Sequence, residues 1–286
     1  MTEEIIRLLA RHLPGYEIGS VERLGEGQDN AAYEVNGELV VRQSKIDEAA
    51  DRGEAVRREA ALLAAVAELS PVPVPQPVFV DEEAGVLAYG KLPGRPLNLH
   101  PVREPMRLAA PLGDFLSGLH AAPVERMEAF APRDIYPLSE LLEEAEGHYR
   151  EIAAHVPPGA RRMVEDFLGT QAPPEPGVPA FCHNDLGAEH VLAEAETSTV
   201  TGVIDWTDAA IADPAYDLAL VFRDLGPEVF ERTLAHYHGR LDDAGHARVL
   251  FYARCALLED VAYGLRSAGA RAYADAGLAH LERTFS

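Results

Sequence analysis

The sequence has few lysines and few cysteines, and it contains no long uninterrupted apolar run. Lysine occurs only at Lys45 and Lys91, and the 25 Lys and Arg residues are outnumbered by 47 Asp and Glu, which gives a formal net charge of −22. A field of this sign repels nucleic acid and anionic membranes and attracts cationic small molecules, although the same excess would also keep the protein soluble. We therefore expect a cationic small-molecule partner and no nucleic-acid or membrane partner.

The two cysteines, Cys182 and Cys255, lie outside any CxxC pair or metal-ligand cluster. A chain of this size does not need disulfides, so we expect a reducing compartment. The first residues, Met1–Leu9, lack the basic start and the uninterrupted apolar core of a signal peptide, and no stretch approaches the ~20 apolar residues of a membrane span. These absences predict a cytoplasmic protein, which we also expect to be a monomer.

The composition is that of a soluble globular protein, with 47% apolar and 25% charged residues. The 286 residues suffice for one large or two modest domains. Glycine and proline are concentrated at residues 90–96, as in a hinge between domains. We predict an α+β fold in which residues 1–90 form an antiparallel sheet with one long helix, residues 91–97 form the hinge, and residues 98–286 are mainly helical.

Hydrophobic periodicity places the individual elements. Strands are predicted at 21–24, 32–35, 39–42, 78–80 and 86–89, and Asn36-Gly37 is a strong hairpin-turn signal. Helices are predicted at 2–13, 47–69, 105–121, 138–155, 159–169, 214–224, 227–240, 243–267 and 271–284. Segment 181–205 is the exception in the helical part, because a polar loop there is followed by two short strands near 190–192 and 200–204.

That loop and hairpin carry the residues most suited to chemistry. Asp185 lies in the loop, His190 opens the first strand, and Asp205 ends the second. Phosphoryl transfer to a hydroxyl needs a base that orients the nucleophile, a metal that neutralises phosphate charge, and cationic or amide groups along the phosphates. A carboxylate, a second ligand five residues later and another carboxylate at the end of the next hairpin fit this requirement.

The sequence resembles the aminoglycoside phosphotransferase family, which belongs to the protein-kinase-like superfamily. The resemblance covers roughly residues 20–225, and its carriers are the segments Gly25–Asn30, Arg58–Leu63, Lys91–Leu97, His183–Leu192 and Gly202–Pro214. It implies a two-lobed protein-kinase-like fold. It also implies an enzyme that moves the terminal phosphate of GTP or ATP, with Mg²⁺, to a hydroxyl of a small molecule.

By this resemblance Asp185 is the catalytic base, and Asp205 chelates magnesium. His190 stands where the family usually has Asn. A His at this position is similar to what aminoglycoside 2''-phosphotransferases and macrolide phosphotransferases show. Because magnesium prefers oxygen ligands, His190 is expected at the metal site either as a ligand or through water or phosphate. His183 is expected to pack under the loop, and Asp217 is expected to be structural.

The nucleotide side of the site is predicted from three segments. Gly25 and Gly27 would let the first hairpin turn close over the phosphates, with Gln28 or Asn30 covering them, although the motif is not GxGxxG. Arg42 stands where a kinase has Lys, and its predicted partner on the long helix is Glu59, with Lys45 as the alternative cation. At the hinge, Tyr89, Gly90 and Leu92 would hold the base, and Tyr at this place is compatible with GTP as well as ATP.

The acceptor is predicted to contact acids on the helices beyond the catalytic loop. The candidates on these helices are Glu143, Glu144, Asp224, Glu228, Glu259 and Asp260. Asp208, which follows the metal carboxylate, could face the metal or the acceptor. Arg223 stands where related enzymes can carry an acid, so the acceptor and its phosphorylated hydroxyl stay open. An aminoglycoside is the first interpretation, and a macrolide or a metabolic alcohol such as a sugar, choline or homoserine is the alternative.

Two interpretations belong to other classes. An inactive nucleotide-binding pseudokinase would lack the base or the metal carboxylate, and both Asp185 and Asp205 are present. A metal-dependent hydrolase could use His183, Asp185, His190 and Asp205 as transition-metal ligands. Such a hydrolase would leave the glycine turn and the hinge unexplained, and tightly bound zinc would distinguish it from a kinase.

Overall fold

The computed structural model describes residues 2–26, 30–267 and 269–286. In the N-terminal part, five strands form one antiparallel sheet in the order β1-β2-β3-β5-β4. These strands are β1 (Val21–Glu26), β2 (Asn30–Val35), β3 (Leu39–Ser44), β4 (Pro77–Asp81) and β5 (Val86–Gly90). Helix α1 (Thr2–His12) precedes the sheet, and the long helix α2 (Ala49–Leu69) follows β3. The predicted antiparallel sheet with one long helix is confirmed.

Alternating burial explains why this sheet forms. Every second side chain of β2 is buried, and Tyr33 and Val35 pack in one cluster with Ile5 and Leu9 of α1. The β2–β3 turn has Asn36 at φ 54° and a glycine after it at φ 72°, the left-handed conformations that an Asn-Gly hairpin turn requires.

The chain then crosses to the helical part through a short strand that the sequence did not predict. Strand β6 (Arg95–Pro96) pairs with β8 (Val191–Glu194), which pairs in turn with β9 (Thr199–Val203). A strand of two residues that includes proline has no alternation from which it could be predicted. Gly94 enters it at φ 91°, and a Cβ atom there would lie 3.0 Å from the carbonyl oxygen of Ala193. The predicted hinge segment is thus tied to the hairpin that carries the candidate catalytic residues.

The rest of the chain is mainly helical, as predicted. Its helices are α3 (Ala109–His120), α4 (Val124–Met127), α5 (Leu138–Ile152), α6 (Pro158–Leu168), α7 (Pro214–Leu225), α8 (Pro227–Leu234), α9 (Asp243–Arg266) and α10 (Arg271–Phe285). Strands β7 (Ala180–Cys182) and β10 (Ala210–Ala212) form a two-stranded sheet on either side of the catalytic segment. Asp213 caps α7 by accepting a hydrogen bond from the backbone N–H of Ala215 at 3.1 Å.

Most predicted helix bounds differ from the structure by three residues or fewer, and two differ by more. Residues 105–108 form a 3₁₀ turn before α3. The helix predicted at 227–240 ends at Leu234, because the following residues turn so that the backbone N–H of His238 donates to Ser117. Within the described residues, no helix is long and apolar enough to cross a membrane.

Candidate active site

The loop between β7 and β8 is held by a buried carboxylate from α7. The backbone N–H groups of His183 and Asn184 donate to the two oxygens of Asp217 at 2.9 and 2.8 Å. Burial alone would raise the pKa of Asp217, but hydrogen bonds from His120 and the loop backbone lower it below its usual range. The structural role predicted for Asp217 agrees with this geometry, and Asn184 can keep its positive φ of 63° because its N–H is fixed.

His183 lies beneath the loop, fully buried. Its Nε2 donates to the carbonyl oxygen of Ile204 at 3.0 Å, and its Nδ1 accepts from the backbone N–H of Asp185 at 3.3 Å. Burial lowers the pKa of His183 to about 4, so the ring is neutral near pH 7. These contacts join the base to the end of β9 and support a positioning role for His183.

His190 lies between the two predicted catalytic carboxylates. Its Nδ1 donates to the backbone carbonyl oxygen of Asp185 at 2.7 Å and lies 3.3 Å from the Oδ2 of that residue, while its Nε2 lies 3.7 Å from Oδ2 of Asp205. Burial raises the pKa of Asp185 to about 6; His190 opposes this shift, and Glu189 and Asp208 add to it. The structure therefore brings together the three residues that the sequence singled out.

Asp205 follows β9 in a left-handed conformation, with φ 61°. The Thr207 hydroxyl donates to its Oδ1 at 2.9 Å, and Nη1 of Arg42 lies 3.8 Å from the same oxygen. Burial alone would raise the pKa of Asp205, but Arg42 and His190 lower it, so the carboxylate is ionised. Asp205 is held at the point where the N-terminal sheet meets the catalytic hairpin.

The predicted cation pair of the donor side is present. Nη1 of Arg42 lies 2.5 Å from Oε1 of Glu59 on α2, and Nη2 of Arg42 donates to the Thr207 hydroxyl at 2.9 Å. The arginine thus links β3, α2 and the segment after β9. Lys45, the alternative cation, does not line the cleft.

Arg42, Asp185, His190 and Asp205 border a cleft of about 1180 Å³ between the sheet and the helical part, whereas Glu59 is not among its lining residues. Of the predicted nucleotide residues, Gly25, Asn30, Tyr89 and Leu92 line it. Gly90 is paired with Leu39 at the end of β5 and is not among the lining residues. Gly27 and Gln28 lie outside the described residues.

The predicted acceptor residues have different placements. Asp208, Glu259 and Asp260 line the cleft, whereas Glu228 is exposed at the start of α8 and lines no part of it. Asp224 lines a second cavity of about 360 Å³ behind the catalytic loop. Neither Glu228 nor Asp224 is therefore positioned in the cleft as the sequence prediction required.

A buried arginine explains the placement of Asp224. Nε of Arg223 donates to Asp224 at 2.7 Å, and Nη1 of Arg223 lies 2.8 Å from Asp260. The other Asp224 oxygen accepts from the backbone N–H of Ala188 at 2.8 Å. The carboxylate of Asp224 thus holds the catalytic loop, and its charge is compensated by Arg223 instead of by a ligand.

Sequence reasoning missed several side chains of the acceptor wall. They are Asp134, Tyr136, Glu189, Tyr216, Tyr252, Tyr263, Arg266 and Tyr273. Most come from the separate helices α7, α9 and α10 or from the segment before α5, and no spacing in the sequence links them. Glu189 is the exception, because it directly precedes His190, and its adjacency to a predicted site residue was a signal that could have identified it.

The candidate metal-ligand atoms of the site fit a hard divalent cation. Asp205 offers carboxylate oxygens, and Nε2 of His190 points toward the same carboxylate while its Nδ1 is occupied by the loop backbone. Carboxylate oxygens with nearby phosphate oxygens are the environment that magnesium prefers. Asp205 and His190 are thus the residues that would hold magnesium.

The chain is similar to known proteins both in sequence and in structure. The model of the phosphotransferase enzyme family matches residues 20–252. Viomycin phosphotransferase of Streptomyces vinaceus is 31% identical over 80% of this chain and 81% of its own length. The GDP complex of wild-type aminoglycoside 2'-phosphotransferase-IIIa is 25% identical, with a TM-score of 0.72 over 99% of this chain and 98% of that chain. A macrolide 2'-phosphotransferase from Brachybacterium faecium is 27% identical, with a TM-score of 0.62 over 98% and 97% of the two chains.

Proposed function

Because this chain belongs to the phosphotransferase enzyme family and is a small-molecule kinase with a kinase-like fold, we propose that it moves the terminal phosphate of GTP or ATP to a hydroxyl of a cationic antibiotic. An aminoglycoside is the first choice of acceptor. The observation that carries the proposal is the placement of Asp185 and Asp205 on either side of His190, at the floor of a cleft that Arg42 also lines.

In the proposed mechanism Asp185 accepts a hydrogen bond from the acceptor hydroxyl and takes its proton as the phosphate is transferred. Its pKa of about 6 leaves it ionised near pH 7 while making it a stronger base than an exposed Asp. Arg42, oriented by Glu59, faces the phosphates. Magnesium held by Asp205 and His190 would neutralise the outer phosphate charge.

The proposed acceptor class rests on charge and on the relatives. The chain carries a net charge of −22, and Glu259 and Asp260 line the acceptor wall. The relatives include enzymes named for viomycin and for an aminoglycoside. These observations favour a cationic acceptor over a neutral sugar.

A macrolide is the second candidate. Five tyrosines line the acceptor wall, and such rings offer the apolar surface that a large macrolide ring requires. The similarity to a macrolide 2'-phosphotransferase supports the same alternative.

The proposed donor is GTP or ATP, with magnesium. Tyr89 lines the cleft at the end of β5, beside the predicted base-binding hinge, and the aminoglycoside neighbour was solved with GDP. We further propose that the enzyme works as a cytoplasmic monomer. The buried free thiols of Cys182 and Cys255 suit a reducing compartment.

A coupled assay of nucleotide turnover tests the proposal. It would use magnesium with GTP or ATP and, as acceptors, an aminoglycoside, viomycin, a macrolide and choline. Stimulation by an aminoglycoside or viomycin is expected, and stimulation by the macrolide alone would select the second candidate. Nucleotide binding without stimulation by any antibiotic would contradict the proposal.

A further inference from the structure

Glu189 is a carboxylate beside the base that the mechanism above does not use. One oxygen each of Asp185 and Glu189 and a ring nitrogen of His190 lie within 4.8 Å of one another. Glu189 is half-buried, and it lines both the main cleft and the second cavity. Glu189 directly precedes His190 and lines the same cleft as Glu259 and Asp260, two of the predicted acceptor residues.

Most other carboxylates of this wall are already engaged. Asp260 is paired with Arg223, Asp134 accepts from the Asn184 amide at 2.9 Å, and Glu144 accepts from the Tyr136 hydroxyl at 2.6 Å. By contrast, Glu189 accepts no hydrogen bond and forms no ion pair with any residue that the structure describes. Its carboxylate also lies close to that of Asp185, so a cation bound here would offset the repulsion between two like charges.

The backbone of the loop leaves room for this carboxylate. A Cβ atom at Gly187 would lie 2.7 Å from Cδ of Glu189, which is too close for van der Waals contact. Gly187 does not have a positive φ, so its missing side chain is explained by the space that Glu189 occupies and not by backbone conformation. The loop therefore admits the Glu189 side chain over Gly187, next to the base.

We propose that Glu189 is a specificity-determining residue that binds an ammonium group of the acceptor close to the reactive hydroxyl. This inference rests on the proposed function. Carboxylate oxygens less than 5 Å apart can accept hydrogen bonds from two groups on neighbouring positions of one ring, and we take this compact arrangement as the one the loop favours. The acceptor class is therefore a 1,2- or 1,3-amino alcohol, with the hydroxyl at Asp185 and the ammonium at Glu189.

The test combines variants with a matched pair of sugars. Steady-state kinetics would be measured for whichever aminoglycoside, viomycin or macrolide the enzyme phosphorylates. The inhibitors are 3-amino-3-deoxyglucose and glucose, which differ by one ammonium group. In the wild type the amino sugar should inhibit at a concentration lower by about tenfold, since a hydrogen bond to a charged group contributes this much. In Glu189→Gln the two sugars should inhibit equally, and the acceptor KM should rise by about tenfold or more with a smaller change in kcat.

Two further variants separate this role from a general effect of charge or folding. Gly187→Ala keeps the charge but pushes the carboxylate aside, so it should also raise the acceptor KM. Glu194→Gln removes the same charge from an exposed position at the end of β8 and should behave as the wild type.

Several results would overturn the inference. They are equal inhibition by the two sugars in the wild type, an unchanged acceptor KM in Glu189→Gln, and a loss confined to the KM of the magnesium nucleotide, which would instead make Glu189 a metal ligand. Failure of every acceptor would overturn the proposed function and this inference with it. Phosphorylation with an unaltered Glu189→Gln variant would overturn the inference alone.

Discussion

Two arginine clusters lie on opposite sides of the catalytic loop: Arg42 pairs with Glu59, and Arg223 pairs with two acids of the helical part. Both clusters join arginine to carboxylates, but they differ in how far the arginine charge is compensated. On the donor side Arg42 has one close carboxylate partner, Glu59, and its other terminal nitrogen reaches only a hydroxyl. On the acceptor side Arg223 is compensated by both Asp224 and Asp260, and its side chain is only 7% exposed. Arg42 keeps capacity to contact a ligand, whereas Arg223 is committed to the fold.

The catalytic loop connects the two clusters. His190 faces Asp205 of the donor side at 3.7 Å, and the N–H of Ala188 donates to Asp224 of the acceptor side at 2.8 Å. The formal charge of an acidic cleft therefore overstates the number of charged groups available to a ligand, because some of them are already paired within the protein. Charge that is neutralised within the fold positions the loop, and we expect only the remaining charge to be available to a ligand.

Replacing Asp185, the proposed base on the loop between the two clusters, should reduce turnover more than any other substitution. Asp185→Asn removes the proton acceptor, so kcat should fall by about 100- to 10,000-fold while nucleotide binding persists. Steady-state turnover and calorimetric nucleotide titration would measure both quantities. Near-normal turnover would contradict the assignment of Asp185. Asp205→Ala should differ by weakening magnesium-nucleotide binding as well as turnover.

A substitution in the acceptor-side cluster should mainly lower the free energy of unfolding. Arg223→Met leaves Asp224 and Asp260 without their cation, and removing one partner of a buried ion pair costs about 3–5 kcal/mol in the free energy of unfolding. Denaturant unfolding measures this quantity. The control is Arg271→Met, which breaks an exposed pair with Asp275 on α10 and should cost under about 1 kcal/mol. Equal effects of the two variants would remove the contrast between the clusters.

A substitution in the donor-side cluster should mainly lower kcat/KM for the nucleotide. Arg42→Met removes a cation of the cleft that we propose contacts the nucleotide phosphates, so kcat/KM for the nucleotide should fall by about ten- to hundredfold. Arg42→Lys keeps the charge but loses the planar fork that spans Glu59 and Thr207, and it should be intermediate. A loss of acceptor affinity with nucleotide kinetics unchanged would contradict the assignment of Arg42 to the donor side.

The smallest effect concerns pH. Burial alone would raise the pKa of Asp224, but Arg223 and the Ala188 N–H lower it below its usual range. A carboxylate whose pKa is depressed in the folded state contributes stability above its unfolded pKa, and this contribution disappears as the pH falls through the folded value. The stability difference between wild type and Asp224→Asn should therefore be full at pH 7 and shrink below about pH 4. A difference that grew on acidification would contradict the ionised Arg223–Asp224 pair.

Much of the fold was predictable because its signals are local. The Asn36-Gly37 turn and the alternation around it identify the first hairpin, and helical periodicity identifies the long helices. The strand at Arg95–Pro96 was missed because its two residues have no period and are defined only by pairing with Leu192 and Ala193. Local patterns cannot report such a pairing partner.

The candidate site likewise has one part that local sequence spacing predicts and another part that only the folded structure brings together. Asp185, His190 and Asp205 lie on one hairpin, so their spacing in the chain becomes proximity in space. The acceptor wall is assembled from several helices, and whether Asp224 is available depends on Arg223, its neighbour in sequence, turning inward toward it. The ionisation and availability of a carboxylate follow from three-dimensional packing, which the sequence does not express.

We expect the cleft to transfer phosphate to a hydroxyl of the acceptor through Asp185, and analysis of the reaction product is the decisive experiment. The enzyme would be incubated with magnesium, GTP or ATP, and an aminoglycoside or viomycin, and the acceptor would be analysed by mass spectrometry. We expect one added phosphate on the acceptor with the wild type and almost none with Asp185→Asn. Free inorganic phosphate with an unmodified acceptor, or equal product from both proteins, would contradict the account.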